Sequence, residues 1–283
     1  MIHYPLAAGK TLTRVLEAGR IDAPAIVLLH GLSSRADRWM RNIDALAAEG
    51  YRVIAADLPG HGFATKDPAY DHTIGGYADF VLALFDALRL DKATLVGTSL
   101  GGHIVAAAAL KQPQRIERLM MIGSTGFAQS TPQRAQGFGD WILNLTPPLH
   151  RPKLERVFSQ TSLVTDDMVR EDVLINTSPG AAECFRRFIG YMGGEMNNDL
   201  VLERLRTIED RVPLLLFWGV DDTSVSVDIG RAAREKLPRS RLVTVTGLNH
   251  TPYYENPSLF NRVLLAYMHG VLDTVSAEGL TLL

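Results

Sequence analysis

The sequence predicts an α/β fold, in which a mostly parallel central β-sheet is flanked by helices and carries an inserted all-helical cap. Short, continuously apolar segments alternate with amphipathic segments of helical period, which is typical of parallel sheets with crossover helices. This alternation is lost between about residues 127 and 210, where only helix-like segments recur, and it then resumes. We therefore expect a core formed by residues 1–126 and 211–283, and a helical cap formed by residues 127–210.

Composition and charge indicate a folded protein with a large core. Of the 283 residues, 46% are hydrophobic and 21% are charged, and the net charge is −2. Without a block of like charge, nucleic-acid binding through a basic surface is not expected. The single cysteine, Cys184, excludes an internal disulfide framework. No His/Asp cluster has metal-ligand spacing, so we expect neither a metal nor another cofactor.

The N-terminal segment carries no recognisable targeting signal. Residues 1–19 lack the basic start and the apolar run of a signal peptide. No apolar run approaches the roughly 20 residues that are needed to span a bilayer. We expect a soluble cytoplasmic protein that makes no membrane contact and acts on a small-molecule substrate. The sequence leaves the oligomeric state open.

The strands of the first half of the chain are read from their apolar patterns. Residues 10–18 alternate apolar and polar side chains, which suits an edge strand with one wet face. A continuous apolar run predicts a buried strand at residues 25–29, and largely apolar segments predict three more, at residues 51–56, 93–98 and 116–122. Helices are expected after these strands, and Ser34 and Thr73 are candidates to cap two of them.

After the insertion the α/β pattern returns. Residues 212–218 and 242–245 predict two further buried strands. A last helix is expected with Asn256 as its cap and Pro257 in its first turn. Beyond about Gly270 the pattern fades, which predicts a loosely held tail.

The segment 93–102 contains a Gly-x-Ser-x-Gly motif between a buried strand and a helix. A serine at the tip of such a turn has a strained backbone and an exposed hydroxyl. A Cβ at Gly97 or Gly101 would crowd the turn, so glycine suits both positions. Ser99 is therefore a candidate nucleophile, although a loop that merely contains glycines and a serine would show the same five residues.

A serine nucleophile needs a base, and the base needs a group that orients it. His250 lies in the loop after the last buried strand and is the best candidate for the base. Asp222 lies just beyond another strand and is the best candidate for the acid, while its neighbour Asp221 stays open as the alternative. The end of the preceding strand is another place from which an acid could come, but the residue there is Ser124, which is not a carboxylate. The order of serine, aspartate and histidine along the chain is the one expected for this architecture.

A tetrahedral intermediate also needs donors aimed at its oxyanion, and backbone amides supply them without reorganisation. The amide of Leu100 directly follows the serine, and the amide of Leu32 lies in the loop after His30-Gly31. These two amides are the candidates for the oxyanion hole.

Five segments in this order and spacing resemble the α/β-hydrolase fold superfamily. They are residues 30–32, 57–62, 97–102, 219–222 and 247–250. The resemblance covers about residues 10–125 and 212–270. It implies a Ser99–Asp222–His250 triad, oxyanion donors at Leu32 and Leu100, and a helical cap over the site.

Branches of this superfamily differ at these positions. Haloalkane dehalogenases and most epoxide hydrolases use an aspartate nucleophile, so Ser99 argues against both. Carbon–carbon bond hydrolases usually have a Ser-Gly-Pro-Gly-like loop and a tryptophan after the catalytic histidine, where this chain has Ser33-Ser34-Arg35 and Thr251. We expect a carboxylesterase or lactonase that works through an acyl-enzyme. The alternatives are a carbon–carbon bond hydrolase, an acyltransferase and a triad-bearing ligand receptor.

The expected substrate is small and largely apolar, because the insertion is rich in aromatic and methionine side chains. Trp39, Trp141, Phe188 and Met192 are the residues that we expect to line the pocket. The alternative for Trp39 is packing within the first helix, and for the other three it is the cap's own core.

Overall fold

A computed structural model describes residues 1–144 and 146–283 and contains a nine-stranded sheet. The strands are β1 (Ile2–Ala8), β2 (Thr11–Ala18), β3 (Ala25–Leu29), β4 (Arg52–Ala56), β5 (Ala93–Thr98), β6 (Ile116–Ile122), β7 (Leu214–Gly219), β8 (Arg241–Val245) and β9 (Leu280–Leu282). Their order across the sheet is β1-β2-β4-β3-β5-β6-β7-β8-β9. The six strands from β4 to β8 in this order pair in parallel, and β1, β2 and β9 run antiparallel to their neighbours. The predicted α/β fold with a mostly parallel sheet is confirmed.

Helices cover both faces of the sheet. They are α1 (Met40–Ala48), α2 (Ile74–Ala87), α3 (Leu100–Lys111), α4 (Pro132–Leu143), α5 (Pro147–Glu155), α6 (Asp166–Asn176), α7 (Ala181–Gly193), α8 (Leu202–Leu205), α9 (Val227–Lys236), α10 (Pro252–Glu255) and α11 (Pro257–Met268). A 3-10 turn, Ala36–Trp39, precedes α1. None of the described helices is both long enough and apolar enough to cross a membrane.

The core has one apolar layer on each face of the sheet, and β3 contributes to both. Val27 and Leu29 belong to the layer that contains side chains of α2 and α3, whereas Ile26 and Leu28 belong to the layer of α1 and α11. Because successive strand residues point to opposite faces, a strand covered on both sides is apolar at every position. This explains the continuous apolar runs in the sequence.

Two predictions for the ends of the chain are wrong. Residues 11–18 are not the edge strand, because Ile2–Ala8 pairs with them and takes the edge. The tail is not loosely held, because Leu280–Leu282 pairs with the end of β8. β1 is largely exposed and β9 has three residues, so neither has the buried periodicity by which strands are recognised.

The predicted helix caps have different outcomes. Thr73 Oγ1 accepts a hydrogen bond from the Gly76 amide at 3.1 Å, and Asn256 Oδ1 accepts one from the Leu259 amide at 3.1 Å, so both caps are confirmed. Ser34 is not a cap, because the helical turn begins at Ala36. The carboxylate of Asp57, distant in the sequence, accepts the Ala36 amide at 2.7 Å instead.

Between β6 and β7 the described residues form helices α4 to α8 and no strand. We refer to residues 127–210 as the insertion. Within it, α4 packs against α7 and α5 packs against α6. Leu145, which the sequence pattern places with Trp141 and Ile142, lies outside the described residues. The insertion begins just after the carboxyl end of β6, and its chain returns to that point at Val201, whose amide donates to the Gly126 carbonyl at 2.9 Å. Residues 202–210 then lead toward the start of β7.

Candidate active site

The strand-to-helix turn at Ser99 has the geometry that its glycines predict. Ser99 has φ +55° and ψ −118°, and its amide donates to the Ile122 carbonyl at 2.8 Å. A Cβ at Gly97 would lie 2.2 Å from the Gly101 carbonyl oxygen, and one at Gly101 would lie 2.5 Å from the His30 carbonyl oxygen. Such approaches are closer than side-chain carbons allow, so the turn requires glycine at both positions.

The structure brings together the acid and the base that the sequence selects. His250 Nδ1 and Asp222 Oδ2 are 2.8 Å apart, and Asp222 Oδ1 accepts the amides of Ser224 and Val225, each at 2.8 Å. Because an ionised carboxylate only accepts, Nδ1 carries the proton and Nε2 is left as an acceptor. Asp221, the alternative acid, instead accepts the Gly247 amide at 2.9 Å.

Gly123, at the end of β6, makes room for this pair. It has φ +47°, and a Cβ there would lie 2.9 Å from Asp222 Oδ2 and 3.2 Å from His250 Nδ1. In the sequence this glycine marks only the end of a strand. Its position directly after a buried strand at the same sheet edge is the signal that could have identified it.

The two amides expected to form the oxyanion hole belong to residues near Ser99. A Cβ at Gly31 would lie 3.2 Å from the Ser99 Cβ, so the loop that carries Leu32 passes close to Ser99. Leu100 is the first residue of α3, where amides lack an intrahelical partner. In the described backbone, neither the Leu32 nor the Leu100 amide donates to a carbonyl outside its own element.

His30 holds the loop of Gly31 in place. Its Nδ1 donates to the Gly31 carbonyl at 2.8 Å, and its Nε2 accepts the Leu58 amide at 3.0 Å. Complete burial lowers the pKa of His30, which favours the neutral form that these two contacts need. His30 is therefore a structural residue that joins the loops after β3 and β4.

Ser99, Asp222 and His250 line one cavity of about 580 Å³. Apolar side chains of the insertion form much of its wall: Phe138, Trp141, Ile142, Leu154, Val157 and Phe158. Leu32 from the core adds to this wall. The cavity therefore lies between the parallel-strand ends and helices α4 and α5.

Of the four residues expected to line the pocket, Trp141 does so and the structure places the other three elsewhere. Trp39 is fully buried and stacks on Tyr253 with ring centroids 4.0 Å apart. Phe188 and Met192 belong to the large core layer, because the apolar face of α7 turns toward the core and away from the cavity. The presence of aromatic residues in a helix does not by itself predict whether they face the core or the cavity.

The cavity also has a polar side. Its lining contains four basic side chains besides His250, which are Arg38, Arg134, Lys153 and Arg156, and two acidic ones, which are Asp172 and Asp222. Arg134 donates to the Ser224 carbonyl at 2.8 Å and Arg156 to the Thr223 carbonyl at 3.1 Å. Sequence reasoning missed Arg38, Lys153 and Asp172, which the fold alone brings together.

The loop that carries His250 is attached to the insertion by side-chain hydrogen bonds. Asn249 Oδ1 accepts the Thr223 amide at 3.1 Å, and its Nδ2 donates to the Arg156 carbonyl at 2.9 Å. Thr251 Oγ1 donates to the Val157 carbonyl at 3.0 Å. The acid loop, the base loop and the end of α5 therefore share one hydrogen-bond network.

The described residues contain no group of three His, Cys, Asp or Glu side chains that could hold a metal ion. His103, which follows the serine motif, has its Nε2 2.8 Å from the Asp199 carbonyl oxygen. Burial lowers the pKa of His103 to about 4, so it is a neutral donor at neutral pH.

Comparisons with known proteins agree on the fold. A model of the alpha/beta hydrolase fold family matches residues 24–170. The chain is 30% identical over 261 residues to a dihydrolipoyllysine-residue acetyltransferase component of an acetoin cleaving system from Pseudomonas putida, covering 92% of this chain and 67% of that protein. It is 29% identical over 255 residues to a 2-hydroxy-6-oxononadienedioate/2-hydroxy-6-oxononatrienedioate hydrolase from Burkholderia vietnamiensis, covering 86% of each. The solved structure of a 2-hydroxy-6-oxo-6-phenylhexa-2,4-dienoate hydrolase from Rhodococcus sp. strain RHA1 has a TM-score of 0.86 at 21% identity, covering 95% of this chain and 98% of that one.

Proposed function

The chain belongs to the α/β-hydrolase fold family, and we propose that it is a serine hydrolase that cleaves a carboxylic ester or lactone through an acyl-enzyme. The observation that carries the proposal is the 2.8 Å contact between His250 Nδ1 and Asp222 Oδ2, on a cavity that Ser99 also lines. This arrangement supplies a nucleophile, a base and a group that orients the base.

In the proposed mechanism Ser99 Oγ attacks the carbonyl carbon while His250 Nε2 takes the hydroxyl proton. The amides of Leu32 and Leu100 donate to the oxyanion of the tetrahedral intermediate, and each such donor is worth about 3 kcal/mol of barrier. His250 then returns the proton to the leaving alcohol oxygen. A water molecule, deprotonated by the same Nε2, releases the acid product and restores Ser99.

We further propose that the insertion acts as a cap that shapes the substrate pocket. Phe138, Trp141, Leu154 and Phe158 line the cavity opposite the strand ends. Their apolar surface supports a small substrate that is largely apolar around its reacting group.

The experiment that tests the proposed function compares variants of Ser99, of Asp222 and of its neighbour Asp221. With 4-nitrophenyl butyrate, we expect Ser99→Ala and Asp222→Asn each to lower kcat by at least about 10³-fold, because each removes one member of a unit. Asp221→Asn is the matched control, and its kcat should stay within about threefold of the parent. Circular dichroism checks that all three variants keep the fold. Activity retained by Ser99→Ala would exclude the acyl-enzyme mechanism.

Carbon–carbon bond hydrolysis is the second candidate, because a relative named as a hydrolase of 2-hydroxy-6-oxo dienedioates is 29% identical and covers 86% of each chain. Two positions weaken this candidate. Carbon–carbon bond hydrolases usually have a Ser-Gly-Pro-Gly-like loop after His-Gly and a tryptophan after the catalytic histidine, whereas this chain has Ser33-Ser34-Arg35 and Thr251. Two assays at the same enzyme concentration distinguish the candidates. Carbon–carbon bond cleavage is followed by the loss of absorbance of a dienoate substrate, and ester cleavage is followed by the release of 4-nitrophenol. A dienoate kcat/KM above that for every ester tested would favour the second candidate.

A further inference from the structure

We propose that Arg38 and Lys153 form a carboxylate subsite in the cavity, so that the substrate is an ester or lactone whose far end carries a free carboxylate. This inference rests on the proposed function and specifies its substrate. Arg38 lies in the turn after β3, and Lys153 lies on α5 of the insertion. Both line the same cavity as Ser99 and His250.

Arg38 is buried, Lys153 is largely buried, and both face a single carboxylate. Their side chains are 8% and 14% exposed, respectively. Arg38 Nη2 is 3.3 Å from Asp172 Oδ1, and Lys153 Nζ is 3.7 Å from Asp172 Oδ2. The second distance is too long for a direct hydrogen bond.

Asp172 has little capacity left for these two cations. Arg35 Nη1 donates to its Oδ1, and His150 Nε2 lies 2.6 Å from its Oδ2. Lys153 Nζ is 3.4 Å from the same His150 nitrogen. Because that nitrogen donates its proton to Asp172, it has no lone pair to accept from the ammonium.

Donors on both cations are therefore available to a ligand. Arginine has five N–H donors and lysine has three. Within residues 1–144 and 146–283, the one hydrogen bond from the Arg38 side chain is the contact with Asp172. No nitrogen of either side chain is among the fully buried atoms without a partner, and both residues line the cavity, so a carboxylate there can accept from their remaining donors. The guanidinium also matches a carboxylate in shape and donor spacing.

The other carboxylates nearby do not reach this position. Glu171 pairs with Arg35 on the outer side of α6 and is half exposed. Asp37 and Asp57 pair with Arg14. On the other side of the cavity Asp222 holds His250. Each end of the cavity has two basic side chains and one acidic one, and at the Asp222 end both arginines, Arg134 and Arg156, already donate to the Ser224 and Thr223 carbonyls. The Arg38–Lys153 end has two cations facing one carboxylate that is already shared with Arg35 and His150, which attracts an anion.

The protonation of Lys153 gives the subsite a pH dependence. Burial lowers the pKa of Lys153 to about 8, with Arg38 and Arg35 acting in the same direction and Asp172 opposing them. His150 is the remaining titratable neighbour, on the same helix. A bound carboxylate favours the charged ammonium, so affinity is full well below pH 8 and falls as the pH rises through about 8.

The test compares 4-nitrophenyl hydrogen adipate, which is anionic, with its neutral methyl ester. We expect kcat/KM to favour the anionic ester by about tenfold or more, the value of a buried charge-assisted contact. Lys153→Met should lower this preference at least tenfold, whereas Lys153→Arg keeps most of it. Lys111→Met, an exposed lysine on α3, is the matched control and should leave the preference unchanged. The KM for the anionic ester should rise between pH 7.5 and 9 in the parent and not in Lys153→Met.

A binding measurement separates this inference from the proposed function. Calorimetry on the Ser99→Ala protein compares monomethyl adipate with dimethyl adipate. Tighter binding of the monoacid that Lys153→Met abolishes supports the subsite even if no ester is hydrolysed. Equal affinity for the two compounds, or turnover of both esters at the same kcat/KM, overturns the subsite and leaves the serine hydrolase proposal standing.

Discussion

The backbone of Ser99 is strained, and contacts on both sides hold it in place. A non-glycine residue at φ +55° and ψ −118° lies in a sparsely populated region that costs about 1–3 kcal/mol. The Ser99 amide donates to Ile122, and its carbonyl accepts the amides of Gly102 at 3.1 Å and Thr125 at 3.3 Å. These hydrogen bonds hold the strained backbone in place, and strain of this kind clusters at functional sites.

Gly123 allows a residue-level test of how closely the acid and base must fit. Gly123→Ala would place a Cβ 2.9 Å from Asp222 Oδ2 and 3.2 Å from His250 Nδ1, so the pair has to move. We expect kcat to fall by about tenfold to hundredfold, as for a displacement near 1 Å in a catalytic group. Steady-state kinetics with an activated ester measure this.

The matched control is Gly50→Ala, since Gly50 also has a positive φ, of +92°, but a Cβ added there would meet no atom within 4 Å. Both variants should lose about 1–2 kcal/mol in the free energy of unfolding because of the left-handed backbone. Only Gly123→Ala should lose kcat. An equal loss of kcat in both would mean that general destabilisation, and not contact with the acid–base pair, causes it.

Residue-level prediction from sequence succeeds where a short motif fixes the backbone. Gly97 and Gly101 are tied to Ser99 by the turn itself, so their spacing carries the geometry. Arg38, Lys153 and Asp172 have no such signal, because they come from three separate elements and meet only in the folded chain. The same reason explains why Phe188 and Met192, expected in the pocket, lie in the core, since tertiary packing decides which way the apolar face of α7 points.

At the level of elements, the Asn249 side chain joins the loop after β8 both to the loop after β7 and to the insertion. Asn249 connects the Thr223 amide to the Arg156 carbonyl, and the next residue is His250. Glu255 Oε1 accepts the Asn249 amide at 3.0 Å, and Glu255 Oε2 accepts the Ser159 amide at 2.6 Å. Burial raises the pKa of Glu255, while these amide contacts favour its ionised form. Polar contacts with the insertion therefore hold the loop that carries His250.

Asn249→Ala should disturb the direction of His250 more than it disturbs substrate binding. We expect kcat to fall by about tenfold with a change in KM below threefold, since the lost contacts orient a catalytic group. Asn197→Ala is the matched control, because Asn197 likewise bridges two backbone groups, the Ser130 amide at 2.8 Å and the Ser130 carbonyl at 2.9 Å. Both variants lose two hydrogen bonds. A loss of kcat as large in Asn197→Ala would show that His250 does not depend on Asn249.

The elements themselves are predictable to the extent that they are buried. The strands from β3 to β8 are largely apolar because they are mostly covered on both faces, and their limits agree with the sequence within two residues. β1 and β9 are exposed at the sheet edges and gain their stability from pairing, which leaves little pattern in the sequence. The turn before α1 is capped by Asp57, and no local rule could identify a partner so far along the chain.

At the scale of the whole molecule, polar contacts join the insertion to the core around the cavity. Arg35 contacts Asp172 of α6, and Asp172 also faces Arg38 and Lys153. Buried ion pairs require good geometry, because the desolvation of the charges opposes their attraction. A ligand carboxylate in this cluster would therefore affect how α5 and α6 sit on the core, and substrate binding would be coupled to the insertion.

This coupling predicts a pattern of amide hydrogen exchange. All five residues of β3 are buried, whereas His150 and Leu154 are the buried ones among the described side chains of α5. We expect amides of α5 to exchange faster than those of β3, because few apolar contacts hold this helix. A phosphonate bound covalently to Ser99, with an adipate-like carboxylate tail, should slow exchange in α5 by contacting Leu154 and Lys153. Exchange monitored by mass spectrometry measures both effects.

Two comparisons make the exchange result decisive. Helix α2 (Ile74–Ala87) packs in the core layer away from the cavity, so its exchange should not change with the phosphonate. A neutral phosphonate of equal length should protect α5 less than the carboxylate form, and Lys153→Met should remove the difference between the two. If α5 is as protected as β3 in the free protein and neither phosphonate changes it, the insertion is a fixed wall, and substrate choice depends on cavity shape alone.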